Sequence, residues 1–354
     1  MLRPKVVVHL SRFDNNLQLI RSRTKPGVQV MAVVKNEAYG HGLIPVCEHL
    51  KDQVDWFCVA RTEEGVKMRE AGIENPILVF EVPCEENIRD FNTHDLTATI
   101  SDLAHFDLLE EGTQCHMNFD TGMTRLGIRA EDVSQAVQKF DDNKQLNITG
   151  IYTHFSDADA PQKPATKEQL SLFNKIRSQF PAILYTHVSN SGGIFYHDSK
   201  ETAFNGVRAG ISLYGYEAGE QPIPELQPVM ELKSSLVQVK KIQKGDAVGY
   251  GGRWIAEEEG WLGIIPVGYA HGVPRPLSGQ IKVQIKNRLY PQKGTISMDY
   301  MTVFLGDDKL EEGTSLTLLG DNPISAKTWA RILGTIPYEI ITTIPQFVAR
   351  EYVN

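Results

Sequence analysis

The stretch VQVMAVVKNEAYGHG, residues 28–42, decides the fold. Its first seven residues are apolar save for one glutamine and rich in valine, as in a strand buried on both faces. Lys35 follows at once, and then a loop carrying Tyr39, His41 and two glycines. Seven more runs of this kind lie downstream: WFCVA (56–60), PILVF (76–80), TATI (97–100), CHMNF (115–119), TGIYTHF (149–155), THVSN (186–190) and VRAGISLYG (207–215). Stretches of helical period separate them. TEEGVKMREAG runs from a Thr62 cap to Gly72, and SDLAHFDLLEEG from a Ser101 cap to Gly112, so both carry start and stop signals. Strands alternating with helices predict a parallel sheet, and eight strands is the number that closes a (β/α)₈ TIM-type barrel.

After about residue 225 the texture changes. VMELKSSLVQVKKI, WLGIIPVGY, GQIKVQIKNRLY and SLTLLG alternate with Gly, Pro and Asp turn signals and few helical stretches. This predicts a mostly-β C-terminal domain over 226–354 after a barrel over 1–225, with QPIPELQP as an extended linker. A length of 354 residues suits two such domains.

The hydrophobic share of 41% and charged share of 23% are those of an ordinary folded protein. With 36 Lys and Arg against 44 Asp and Glu, the net charge of −8 argues against a nucleic-acid partner. Cys47, Cys58, Cys84 and Cys115 have neither metal-ligand nor disulfide-framework spacing, so they read as reduced thiols, with no metal implied. The start, MLRPKVVVHLSRFDNN, has no apolar core of signal-peptide length, and no run approaches the roughly 20 apolar residues of a membrane span. A cytoplasmic location without membrane contact is expected.

In such a barrel the carboxyl ends of the strands and the loops after them form the active site. That rule puts Lys35 at the rim. A single lysine at a strand end is ordinarily a solvated surface group, but other motifs give it company. AVVKNEAYGHG, FDTGMTRLGIR, THFSDAD, SNSGGI, VRAGISLYG, VGYGGRW, PVGYAHGVPR, GTISMDYMTV and IPYEI, in that order, resemble the alanine racemases, with GGRW and SNSGGI most like the proteobacterial branch. The likeness runs from near residue 5 to the C-terminus.

The resemblance implies a barrel carrying pyridoxal 5'-phosphate, a β domain behind it, and a head-to-tail homodimer whose active sites borrow residues from the partner. The reaction implied is interconversion of L-alanine and D-alanine, serving peptidoglycan synthesis or alanine breakdown. Inversion needs a proton to leave one face of Cα and arrive on the other, so two acid/base groups must flank it. Lys35 matches the cofactor-binding lysine and the base for the D form; Tyr269 matches the tyrosine from the second subunit that serves the L form. Both groups titrate near 10 when unperturbed and need help to act at neutral pH.

Further matches carry the remaining roles. His154 corresponds to the partner of the catalytic tyrosine, and Arg208 to the arginine facing the pyridine nitrogen. Ser191, the Gly210 and Ile211 amides, Tyr39 and Tyr338 correspond to the phosphate-binding set. Arg125 and the Met298 amide, with Asp299 beside it, correspond to the contacts of the substrate carboxylate.

Three positions depart from the family pattern. Asn118 replaces a lysine that many members carbamylate, which points to a chloride between Asn118 and Arg125. Thr295 replaces an arginine near the substrate entrance, and His271 an aspartate after the catalytic tyrosine. Serine or broad-specificity racemases of the same fold are the nearest alternative, because pocket size rather than chemistry separates them. Decarboxylases of related architecture lack AYGHG and SMD, and single-barrel carriers of the same cofactor lack any counterpart of Tyr269 and Tyr338.

Overall fold

Each of the eight apolar runs forms a strand: β1 (Gln29–Val33), β2 (Trp56–Val59), β3 (Ile77–Val79), β4 (Ala98–Ile100), β5 (Gln114–Asn118), β6 (Asn147–Tyr152), β7 (Tyr185–His187) and β8 (Gly206–Ala209). The structure is a computed structural model that describes residues 3–182 and 184–354. All pairings are parallel, in the spatial order β3-β2-β1-β8-β7-β6-β5-β4. A bridge between Leu78 and Thr97 joins the two ends, with the Val79 N–H donating to the Thr97 carbonyl at 2.9 Å. The eight strands thus close into the expected barrel.

Strand burial follows from closure. Val30, Met31, Ala32, Phe57, Cys58, Val59, Ile77, Leu78 and Val79 are all fully buried, because one face of each strand lines the interior and the other meets the helices. Polar side chains also point inward. The His116 ring lies where a Cβ on Gly150 of β6 would come within 2.4–2.5 Å of it. Glycine at 150 is therefore a volume requirement.

The helices differ in extent from their sequence signals. The first spans Thr62–Glu70 with Arg61 as its N-cap, so Thr62 is its first residue rather than its cap. The second shrinks to His105–Leu108, because the Ser101 N–H donates to His105 Nδ1 and Asp102 accepts from the Ala104 N–H. Those contacts turn residues 101–104 into a loop.

The chain divides into two packing units. The barrel unit comprises Asp14–Ala38 and Gly42–Leu226; the other comprises the N-terminal segment through Phe13, Tyr39–His41 and Gln227–Asn354. In the second unit nine strands form one sheet, in the order Gln238–Ile242, Gly260–Ile265, Met301–Gly306, Arg288–Lys293, Lys282–Ile285, Ser315–Leu319, Met230–Ser235, Lys5–His9 and Ala349–Val353. Lys5–His9 runs parallel to the C-terminal strand, with Lys5 opposite Ala349, and antiparallel to Met230–Ser235. Met301–Gly306 alternates buried and half-buried residues along its length, as a sheet with one covered face requires. Among the described residues no helix is long and apolar enough to cross a membrane.

Gly150→Ala should lower unfolding free energy by about 1–3 kcal/mol through overpacking against His116, read as a lower urea midpoint. Gly72→Ala, which has open space but a φ of +81°, should lose stability through backbone strain instead.

Candidate active site

Lys35 is followed by a backbone of unusual hand. Asn36, Glu37, Ala38 and Tyr39 have φ of 52°, 55°, 51° and 52°, a left-handed turn of four non-glycine residues. Side-chain crowding makes this conformation cost roughly 1–2 kcal/mol per residue, about 4–8 kcal/mol in all. Several bonds offset that cost. The Ala38 N–H donates to the Val34 carbonyl and the Gly42 N–H to the Glu37 carbonyl, both at 2.8 Å. The Glu37 carboxylate accepts from the Leu43 N–H at 3.2 Å and meets Lys67 at 3.5 Å. The Asn36 N–H donates to Glu64 Oε1 at 2.5 Å.

Burial sets the character of Lys35. Desolvation lowers its pKa from the usual lysine value, and the nearby Arg125 guanidinium lowers it further, while Glu64 and Cys58 pull it back up. The balance is a more basic-form lysine than a surface one.

Arg208, in β8, is buried at 2% exposure. Its Nη1 donates to the His187 carbonyl at 3.0 Å and to His187 Nδ1 at 2.6 Å. Its Nη2 donates to the carbonyls of Thr153 at 2.8 Å and Val188 at 3.0 Å, and to His154 Nδ1 at 3.2 Å. Arginine only donates, so both histidines must accept at Nδ1 and carry their protons on Nε2. His187 Nε2 then donates to His116 Nδ1, 3.0 Å away, which puts the His116 proton on its own Nε2. Burial first, and Arg208 second, push His154 and His187 well below the ordinary histidine value and His116 down to about 3. All three are neutral at physiological pH. Tyr152 stacks on His187 at 4.6 Å and lies under the Arg208 guanidinium at 5.2 Å.

One donor of Arg208 is unspent. Its Nε is buried and has no hydrogen-bond partner among the described residues. A buried N–H without an acceptor is costly, so this atom points to an acceptor supplied from outside the chain. A neutral pyridine nitrogen is such an acceptor. Ser191 and Gly210 are also brought together: the Gly210 N–H donates to Ser191 Oγ at 3.1 Å and the Ser212 N–H at 3.3 Å. Hydroxyl and amides converging after β7 and β8, with Ile211 between them in sequence, suit a phosphate. These residues fit pyridoxal phosphate.

The loop after β5 carries Arg125. Asp120 Oδ1 accepts from the Gly122 and Thr124 N–H groups, each at 3.0 Å, and Asn118 Nδ2 donates to the Leu126 carbonyl at 3.1 Å. Arg125 itself is exposed. Gln169 ties this loop to the next, donating to Thr121 Oγ1 at 3.3 Å and to the His154 carbonyl at 3.0 Å.

In the other unit Tyr39 and Tyr338 pair, with ring centroids 6.1 Å apart. Tyr269 opens a short turn whose backbone clasps the Met298 loop: the Tyr269 N–H donates to the Ser297 carbonyl and the Ala270 N–H to the Met298 carbonyl, both at 3.1 Å. Only glycine fits at 268, where a Cβ would lie 2.1 Å from the Ser297 oxygen. Tyr269 (42%), Met298 (53%), Tyr300 (52%) and Tyr250 (73%) are exposed. A cavity of about 460 Å³ lies among Tyr250, Thr295, Ser297 and Tyr300. Thr295 is spent locally, donating to the Tyr250 carbonyl at 2.9 Å, and His271 Nδ1 accepts from the Gly268 N–H.

Sequence reading passed over Glu64, Tyr152, His187 and His116. The last three lie inside strands expected to be buried, and a histidine in such a run signals a hydrogen-bonded network that needs a partner.

Comparison with known proteins gives consistent matches. The family model for the alanine racemase N-terminal domain matches residues 8–218, and that for the alanine racemase C-terminal domain matches 229–352. The alanine racemase of Streptococcus mutans is 34% identical over 359 residues, covering 98% of this chain and 96% of that protein. That of Ligilactobacillus salivarius is 35% identical over 367 residues, covering 98% and 97%. The crystal structure of alanine racemase from D-cycloserine-producing Streptomyces lavendulae superposes with a TM-score of 0.92 at 30% identity, covering 100% of this chain and 98% of that one.

The neutral histidines make stability fall with acid. Above pH 6.5 both folded and unfolded chains hold His116 neutral; below it only the unfolded chain takes a proton, until the folded value of about 3 is reached. His116→Gln should therefore remove about 2 kcal/mol of the stability lost between pH 7 and pH 5, measured by urea unfolding at the two pH values.

Proposed function

The chain belongs to the alanine racemase family, and on that premise we propose that it interconverts L-alanine and D-alanine with pyridoxal 5'-phosphate held on Lys35 and one base for each face of the substrate. The observation that carries this reading is the unspent Arg208 Nε–H, buried in a barrel whose mouth also holds a desolvated lysine. Pyridoxal phosphate, when bound, draws into its ring the charge left on Cα as the proton departs.

Each residue then has a stated task. Arg208 Nε would donate to the ring nitrogen, and because a guanidinium neither loses its proton nor accepts one, it would leave that nitrogen unprotonated. By keeping it so, Arg208 would favour prompt return of the proton to Cα over side reactions. Lys35, lowered by burial and Arg125, takes and returns the proton on one face. Tyr269 of a second copy serves the other face, and the neutral His154 offers its hydroxyl oxygen an Nε2–H. Ser191, the Gly210 and Ile211 amides, Tyr39 and Tyr338 receive the phosphate, while Arg125 and the Met298 amide orient the substrate carboxylate.

A homodimer follows from Tyr269 acting across subunits, and the exposed Tyr250, Tyr269, Met298 and Tyr300 support such a contact. Chloride near Asn118 completes the proposal. Arg125 supplies its charge, and Asn118 would turn its amide from the Leu126 carbonyl to join it. Bromide soaked into crystals should give an anomalous peak between the two residues; water alone there would reject it.

The function is tested by incubating purified protein with pyridoxal phosphate and pure L-alanine or L-serine and following the D form by chiral chromatography. D-alanine should appear, and faster than D-serine. Isomerisation of neither amino acid by cofactor-loaded protein would overturn the reading. Lys35→Ala should lose covalent retention of the cofactor after borohydride treatment, seen by mass spectrometry, and at least about 100-fold in rate.

A further inference from the structure

Glu64 uses its two carboxylate oxygens for different tasks. Oε2 accepts from the N–H groups of Ala60 at 2.9 Å and Arg61 at 3.1 Å, so it caps the start of its own helix, Thr62–Glu70. Oε1 reaches back to the preceding loop of the barrel and accepts from the Asn36 N–H at 2.5 Å. A helix-start glutamate needs only the first. Asn36 is the first residue of the left-handed turn and the immediate neighbour of Lys35. The other bonds within the turn begin at Val34 and Glu37 and leave the Asn36 N–H to Glu64.

The residue is 9% exposed, so its charge acts through protein rather than water. A carboxylate accepting backbone N–H groups is among the stronger hydrogen bonds available, and this one spans two consecutive βα loops. It does not touch the reacting atoms. The groups that act electrostatically on Lys35 are Arg125 from the loop after β5, Glu64 itself and Cys58 from β2.

We propose that Glu64 is a positioning residue for Lys35: its Oε1 closes the left-handed turn at Asn36 and thereby fixes the direction in which the lysine side chain leaves the backbone. The meaning of this rests on Lys35 as the cofactor lysine, but the test reads the backbone and stands whether or not alanine is the substrate.

The test combines hydrogen–deuterium exchange with kinetics on full-length, cofactor-loaded protein carrying Glu64→Gln, Asn36→Gly, or both. A carboxamide has one acceptor and cannot serve both sides. In Glu64→Gln, amide exchange over residues 36–42 should rise about tenfold or more, with kcat falling and KM nearly unchanged. Glycine adopts positive φ freely, and the Asn36 side chain is exposed, so Asn36→Gly in the Glu64→Gln background should recover a substantial part of both losses. A purely helix-capping role predicts faster exchange over residues 60–70 alone and no recovery from glycine; either result overturns the proposal. If Glu64→Gln does not fold, the double variant must fold where the single does not, and equal failure of both overturns it as well.

Discussion

A fully charged guanidinium sits inside the barrel, and the arrangement around it follows from the need to satisfy it. Burying a charge is expensive unless hydrogen bonds repay it, and Arg208 collects carbonyls from Thr153, His187 and Val188 together with two imidazole nitrogens. Those carbonyls lie at the ends of β6 and β7, so the site depends on the register of the parallel sheet. Because arginine can only donate, it also dictates where the protons of three histidines reside, out to His116 on β5. One side chain thereby sets the hydrogen-bonding polarity of the barrel interior.

The second constraint is the left-handed turn after Lys35. A strained backbone persists only where its surroundings over-determine it, and here the support comes from Glu37, Glu64 and the closed barrel beneath. Strain and burial converge on the same lysine. The turn directs it, and desolvation leaves more of it in the unprotonated form that can take a proton than an exposed lysine would have.

Much of this was legible in the sequence, for identifiable reasons. Buried parallel strands read as short continuous apolar runs, and all eight runs became strands. The motif around Lys35 was legible because its glycines and aromatic residues are unusual together. The turn's handedness was not, since Asn36, Glu37 and Ala38 carry no glycine-like signal, and the bond that holds Asn36 comes from a residue 28 positions away. The helix expected from Ser101 shrank for a similar reason: two side-chain contacts, His105 to the Ser101 N–H and Asp102 to the Ala104 N–H, outweighed a capping pattern. The roles of Tyr269 and Met298 came from family likeness, because a loop clasp such as that between Gly268 and Ser297 leaves only a glycine in the sequence.

The proposed mechanism turns on two bases, one on each face of Cα, with Tyr269 serving the L form. The most direct measurement is exchange of the Cα proton with deuterated solvent, followed separately for L-alanine and D-alanine in the unaltered enzyme and in Tyr269→Phe. The variant should lose exchange from L-alanine by about 100-fold or more, while exchange from D-alanine, through Lys35, is affected far less. Equal losses for the two enantiomers would contradict it.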